Sequence, residues 1–266
     1  VGAVQAALVR LEEIGAVQIE PRGRRGTFLR QRSLGKLWLE AEREPLIVAL
    51  PLPNTQHVNG LATGVRALFA DAGVPSFCVF MRGSRQRFQA LRQGRCHVAV
   101  MSALAAEERL PSETIMLELP AETLVAEHRV YYVDRMRENA SDRQLRVILD
   151  HDSADFQRIA EIEFGLLGVD FVAGSYNQLN RLLREDQADA GVWDVEEDVG
   201  RMQPPVLNRP LSPRTLEILR GRDTRATFVA GIDADSVRDV VTAVLRPDKI
   251  VAIQREVIDA ERVAEY

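Results

Sequence analysis

With 266 residues, 46 % of them hydrophobic, and a formal charge of −5, the chain holds enough material for more than one packed unit. No stretch approaches the roughly 18 consecutive apolar residues of a membrane-crossing helix, and no signal peptide is visible. Lys36 and Lys249 are the only lysines among 34 basic side chains, and neither sits in a phosphate-loop or Schiff-base setting; G-x-G-x-x-G, G-x-S-x-G and H-E-x-x-H are also absent, which speaks against enzymes with familiar signatures.

In chain order, Val4, Leu8, Leu11 and Ile14 recur at three- and four-residue spacing and predict an amphipathic helix. Gly15 stands where a residue able to turn left-handed would stop it. A short alternating strand over 16–20, a turn Pro21-Arg22-Gly23-Arg24-Arg25-Gly26 and a return strand over 27–29 follow. Helix, strand and arginine-rich hairpin correspond to the back half of a winged helix. Residues 1–43 carry eight basic and five acidic side chains, a net +3, so with −5 over the whole chain the remainder carries −8. A basic head on an acidic body fits a reader of phosphate backbone joined to a unit that does not touch DNA.

The run G-A-V-Q-A-A-L-V-R-L-E-E-I-G-A-V-Q-I-E-P-R-G-R-R-G-T-F-L looks like the recognition helix and wing of GntR-type winged-helix repressors. Together with L-G-K-L-W-L at Leu34–Leu39, it resembles the YhfZ family of transcriptional regulators. That resemblance implies a GntR-like head followed by a domain similar to type 2 periplasmic binding proteins. Ala3 departs from the pattern, since many GntR members place Thr there, which would add a hydroxyl at the DNA-facing end. The sequence also starts inside the expected recognition helix, so a partial head is expected.

A linker helix is expected over 33–44, with Leu34, Leu37, Trp38 and Ala41 on one face and Trp38 docking head onto body. Strands over 46–52, 76–81 and 97–101 alternate with helices over 58–72 and 85–93, a β-α-β-α-β run that implies a parallel sheet. After a less regular stretch over 114–133 with two apolar strand-like segments, the pattern repeats. Strands are expected over 145–149, 171–173, 190–193 and 227–230, and helices over 154–167, 178–185, 215–219 and 236–245. The expected fold is α/β: a partial winged-helix head (1–32), the linker (33–44) and a two-lobed type 2 periplasmic-binding-protein-like body (45–266) with parallel or mixed sheets. The first lobe takes 45–125 and 206–266, the second 126–205. One continuous Rossmann-like sheet is the alternative. Cys78 and Cys96 read as small buried hydrophobes in a reducing compartment.

Ligands of open parallel sheets lie beyond the carboxyl ends of the strands. Those positions hold Asn54, Thr55 and Gln56, then Arg82, Gly83 and Ser84, then Ser102 in the first lobe. In the second they hold His151, Asp152 and Ser153, then Ser175, Tyr176 and Asn177, then Asp194. Gly83-Ser84, Asp152-Ser153 and Gly174-Ser175 each precede a helix, where free N–H groups and the helix dipole favour a carboxylate or phosphate. Arg82 would add a bidentate fork. The bland reading of each small or hydroxyl residue is a helix cap. Asp150, His151, Asp152 and Asp155 could ligate a metal, but neighbours in an extended segment point apart, and no metal or cofactor is expected. Trp193 is either a cleft wall or a core ring.

The sequence therefore points to a cytoplasmic, ligand-responsive DNA-binding regulator, a homodimer on double-stranded DNA and not an enzyme. Gln5 would approach base edges, and Arg22, Arg24 and Arg25 the phosphates or the minor groove, with Gly23 and Gly26 allowing close approach. The effector would be a polar organic acid, a zwitterion or a phosphorylated metabolite. A non-regulatory binding protein or an enzyme on the same body is the alternative.

Overall fold

The computed structural model describes residues 2–109, 114–133, 144–194, 206–231 and 234–266. The head opens with helix α1 (Gly2–Glu13). Gly15 ends it at φ +67°, with Gly15 N donating to Glu12 O and Ala16 N to Leu11 O, so the last carbonyls are satisfied as the chain turns away. The apolar stripe forms but is not covered: Leu8 and Leu11 are half-buried, while Val4 stays 67 % exposed. Strands β1 (Val17–Pro21) and β2 (Thr27–Arg32) pair antiparallel. β2 outruns its expected end because pairing continues to Val17 opposite Arg32. At the hairpin tip Gly23 and Gly26 hold φ +57° and +86°, which a Cβ would penalise, and Arg22 N donates to Gly26 O at 2.8 Å.

Helix α2 (Leu34–Glu40) is capped by Ser33, whose Oγ accepts from Lys36 N. It is shorter than expected because Glu42 turns to φ +52° and Arg43 N donates back to Trp38 O. This helix grips both neighbours. Toward the head, Lys36 Nζ donates to Ile14 O at 2.9 Å and Glu40 pairs with Arg10 at 2.6 Å. Toward the body, Trp38 is buried in the same apolar cluster as Leu46, Leu68 and Val74, and its Nε1 donates to Glu44 O. Gly35 lies so close to Gly73 that a Cβ would overlap the Gly73 carbonyl.

In the body, β3 (Leu46–Leu50), α3 (Gln56–Asp71), β4 (Ser76–Phe80), α4 (Ser84–Arg92) and β5 (Val98–Ser102) make the expected β-α-β-α-β unit. β3 is parallel to β4 and β5. Its sequence is continuously apolar because both faces are covered, Leu46, Val48 and Leu50 in one cluster and Ala49 in another. α5 (Ala103–Arg109) and the C-terminal helix Pro247–Ile258 were not foreseen; the second packs along α3. The irregular stretch resolves into β6 (Ile115–Glu118) and β7 (His128–Val133), which belong to different sheets.

Beyond β7 come β8 (Arg146–Leu149), β9 (Asp170–Ala173), β10 (Ala190–Asp194), β11 (Val206–Pro210) and β12 (Ala226–Ala230). Among the described residues they complete two five-stranded sheets of order β4-β3-β5-β12-β6 and β11-β7-β10-β8-β9, rather than a single continuous sheet. Both sheets are mixed: β12 is antiparallel to β5 and β6, and β7 to β10 and β11. The return to the first lobe does not come at 206. β11 pairs with β7, and Leu211 and Leu219, flanking and ending the helix Pro213–Leu219, pack with Ile159 and Phe164 in the second lobe. An edge strand ending in proline carries little periodic signal, which is why this boundary was misplaced.

Replacing Gly35 with alanine is expected to cost about 2 kcal/mol, in the range of overpacked sites where backbone cannot yield. Urea unfolding reads that loss, and faster tryptic cleavage beside Arg43 would report the undocked linker.

Candidate functional site: a cleft between the lobes

The strand ends of the two sheets face one another across a cavity of about 60 Å³. That is room for about two waters at liquid density. Of the residues expected there, Asn54, Thr55, Gly83, Ser153, Tyr176 and Asp194 line it. Thr55 also caps α3, its Oγ1 accepting from Val58 N. The others are placed elsewhere. Gln56 and Asn177 are exposed, as is His151, while Arg82, Ser84, Ser102, Asp152 and Ser175 join the lobes to each other.

Arg82 is the centre of that joint. Its Nη1 donates to Asp150 Oδ2 at 2.8 Å and to Ser175 Oγ at 2.9 Å, and its Nη2 to Asp152. Ser84 Oγ accepts from Ala154 N, the start of the helix Ala154–Phe164 in the opposite lobe. Ser102 donates to Asp155 across the same seam. Gly83 at φ +71° is pressed on Asp152, whose carbonyl a Cβ would overlap.

These contacts correct the anion-binding expectation. Ala154 N is taken by Ser84 Oγ, Arg85 N donates to Asp152 O, and Tyr176 N donates to Asp150 Oδ2 at 2.9 Å. The three helix starts meant for a carboxylate or phosphate thus each have a donor engaged by the protein. Arg82 is engaged likewise, so it offers no free fork. A capping residue and a ligand-binding residue look the same in sequence, and only the opposing lobe decides between them.

Several lining residues were missed or left open: Arg87, His128, Asp155, Phe156, Trp193 and Asp223. Arg87 is fully sequestered; its Nε donates to Val100 O and its Nη1 to Met81 O, both at 2.7 Å. Burial pulls its pKa down to about 10, against the opposing pull of Tyr176 and Asp155. His128 Nδ1 lies 2.7 Å from Asp223 Oδ2, each from one of the two segments that cross between the lobes. Burial alone would lower the imidazole, but the hydrogen bond and charge of Asp223, with Asp194 and Asp155, raise it overall. Burial raises Asp223 too, and the contact with His128 outweighs it and lowers that carboxyl. Asp155 and Asp194 go the other way: burial dominates and raises both. Trp193 is both core ring and cleft wall: it packs in a core cluster with Tyr131 and Val206 and also lines the cleft, next to Tyr176 at 6.1 Å between ring centres. Because the missed residues sit inside helices or on crossing segments, the strand-end rule passes over them.

In the head, every residue of the expected DNA-facing set is exposed. Arg22 pairs with Glu20 at 3.1 Å and lies over the Phe28 ring at 5.0 Å. Arg24 and Arg25 make no ion pair among the described residues.

A helix and arginine-tipped hairpin, carried on a two-lobed body whose sheets meet at a cleft, define a helix-turn-helix head on a binding-protein-like body. Family comparison agrees: a helix-turn-helix domain model matches residues 1–29, and the model of the YhfZ C-terminal domain matches residues 34–266. The chain belongs to the YhfZ family. It is 33 % identical to YhfZ of Escherichia coli (strain K12) over 269 aligned residues, covering 100 % of this chain and 86 % of that protein. The crystal structure of YhfZ from Shigella flexneri is similar at TM-score 0.71 and 29 % identity, over 88 % of this chain and 98 % of the other. An amino acid ABC transporter substrate-binding protein from Streptococcus pneumoniae bound to L-arginine shares the fold at TM-score 0.56 and 12 % identity, over 86 % and 97 %. No helix among the described residues is long and apolar enough to cross a membrane.

The His128–Asp223 pair makes stability pH-dependent. With a folded pKa above the unfolded value, His128 contributes stability that is complete below the unfolded pKa of 6.5 and is lost as pH rises through the folded one. The loss has a limiting slope of about 1.4 kcal/mol per pH unit. Denaturation curves from pH 6 upward should show that decline in the wild type and a flattened profile in His128→Gln. For Arg82→Ala, a loss of about 2 kcal/mol is expected, below the roughly 3–5 kcal/mol of a fully buried broken pair, because Arg82 is only partly buried and Asp150 keeps the backbone donors of Asp152 and Tyr176. Thermal or urea unfolding measures it.

Proposed function

We propose that this chain is a ligand-responsive transcriptional regulator with a GntR-like head, acting in the cytoplasm as a homodimer on double-stranded DNA rather than as an enzyme. The observation that carries the reading is α2, one short helix fastened to the head through Lys36 and Glu40 and to the first lobe through Gly35 and Trp38. A head held this way follows the first lobe, so any effector that alters the seam between lobes repositions one half of the body relative to a rigidly mounted DNA reader. In a dimer, that changes the spacing of two heads. Coupling of about 1–3 kcal/mol, or roughly 5–150-fold in DNA affinity, suffices for regulation.

Gln5, exposed on α1, supplies an amide able to pair with adenine, while Arg24 and Arg25 at the hairpin tip supply phosphate contacts. Arg22 contributes less freely, being drawn toward Glu20 and Phe28. The effector is a small polar molecule held in the cleft. The polar organic acid and phosphorylated metabolite suggested by the strand-end loops lose their support once those donors are engaged by the protein. Amino-acid binding by the structural neighbour keeps a nitrogen-bearing effector in view.

The test is fluorescence anisotropy with duplexes that the protein itself selects from a random pool. Arg24→Ala is expected to weaken binding evenly across sequences and to reduce the salt slope by about 1. A slope equal to that of the wild type would remove the wing from the interface.

A further inference from the structure

The cleft has an unbalanced charge. Asp155, Asp194 and Asp223 line it, against Arg87 and the His128 imidazole. His128 is matched by Asp223, and Arg87 directs two of its donors to main-chain carbonyls. Asp155 is matched by the Ser102 hydroxyl. Asp194 is different. Its Oδ1 is buried and has no hydrogen-bond partner among the described residues, although the side chain lines the cavity. A buried carboxylate oxygen without a donor is costly. Beside it stands an aromatic wall: the Phe156 and Tyr176 rings are 4.7 Å apart, and Tyr176 is 6.1 Å from Trp193. Tyr176 already attracts a cation, with the Arg82 guanidinium 5.8 Å from its ring centre. Aromatic faces next to a desolvated carboxylate recognise organic ammonium groups, through the ring quadrupole and the charge together.

Resting on the regulator reading above, we propose that the effector is a small organic ammonium ion without an acidic group, its nitrogen donating to Asp194 and its carbon atoms against Phe156, Tyr176 and Trp193. Two features disfavour an acidic partner group. One N–H at each helix start is already engaged within the protein, Ala154 N by Ser84 and Arg85 N by Asp152 across the seam and Tyr176 N by Asp150 within the second lobe. Asp155 stands in the first turn of the helix Ala154–Phe164, where its own carboxyl lies within the favourable field of that helix.

Isothermal titration of the purified chain with ethanolamine, protonated trimethylamine, glycine and glycolate separates the charge classes at nearly constant size. Binding of either ammonium compound at millimolar concentration, with glycine weaker and glycolate undetectable, is the expected result. Asp194→Asn, which keeps the shape, should weaken the ammonium by at least about tenfold, the loss of one charge-assisted contact. Phe156→Leu should weaken it separately and serves if the first variant does not fold. Glycine or glycolate binding as tightly as ethanolamine, or no ammonium binding at all, overturns the proposal. Its failure is distinct from that of the regulator reading. Ammonium binding without any change in DNA affinity sinks the regulator, whereas glycolate binding that changes DNA affinity sinks only the ammonium.

Discussion

Arg82 holds the body in its observed form. One guanidinium from the first lobe reaches Asp150, Asp152 and Ser175 of the second, and the backbone beside it is squeezed so tightly that only glycine fits at position 83. Asp150 is almost fully buried, and a buried carboxylate must be matched. Arg82 matches its charge, and the N–H groups of Asp152 and Tyr176 satisfy its oxygens. The seam is therefore an electrostatic joint with main-chain support, and the cavity is what remains on its inner side.

That joint also determines what the cavity can receive. By engaging a donor at each helix start expected to hold an anion, the seam turns a generic anion cradle into a site dominated by carboxylates and rings. His128 and Asp223 hold the rear of the site, on the two crossing segments, as a mutually stabilised pair. The protonation of that pair is thereby linked to the charges of Asp155 and Asp194, since all of them line one small volume.

The head is coupled to this arrangement through very little material. α2 is only 7 residues long, yet it closes the Gly35–Gly73 approach, buries Trp38 and donates Lys36 to the end of α1. Apolar packing on one side and charged contacts on the other divide the labour: the first fixes position against the body, the second orients the head. No residue of α1 itself is buried, while Ala16 and Val17 just beyond it are.

Local rules made much of the architecture legible. The Gly15 helix stop, the glycines at the hairpin tip, the continuous apolar strand at Leu46–Leu50 and the β-α-β-α-β order follow from backbone sterics and periodicity, which depend on neighbours in sequence. The cleft's general position was legible for the same reason, because strand ends are marked by where apolar runs stop. Its chemistry was not. Whether Ser84 caps its own helix or the one opposite, whether Arg82 meets a ligand or Asp150, and whether Asp194 has a partner are settled by residues roughly 70 to 90 positions away along the chain. Arg87 and His128 entered the site from a helix interior and a crossing strand, where sequence spacing carries no sign of a cavity. Side-chain type and local spacing determined the elements; long-range packing alone decided which polar groups face each other and which are left facing the cleft.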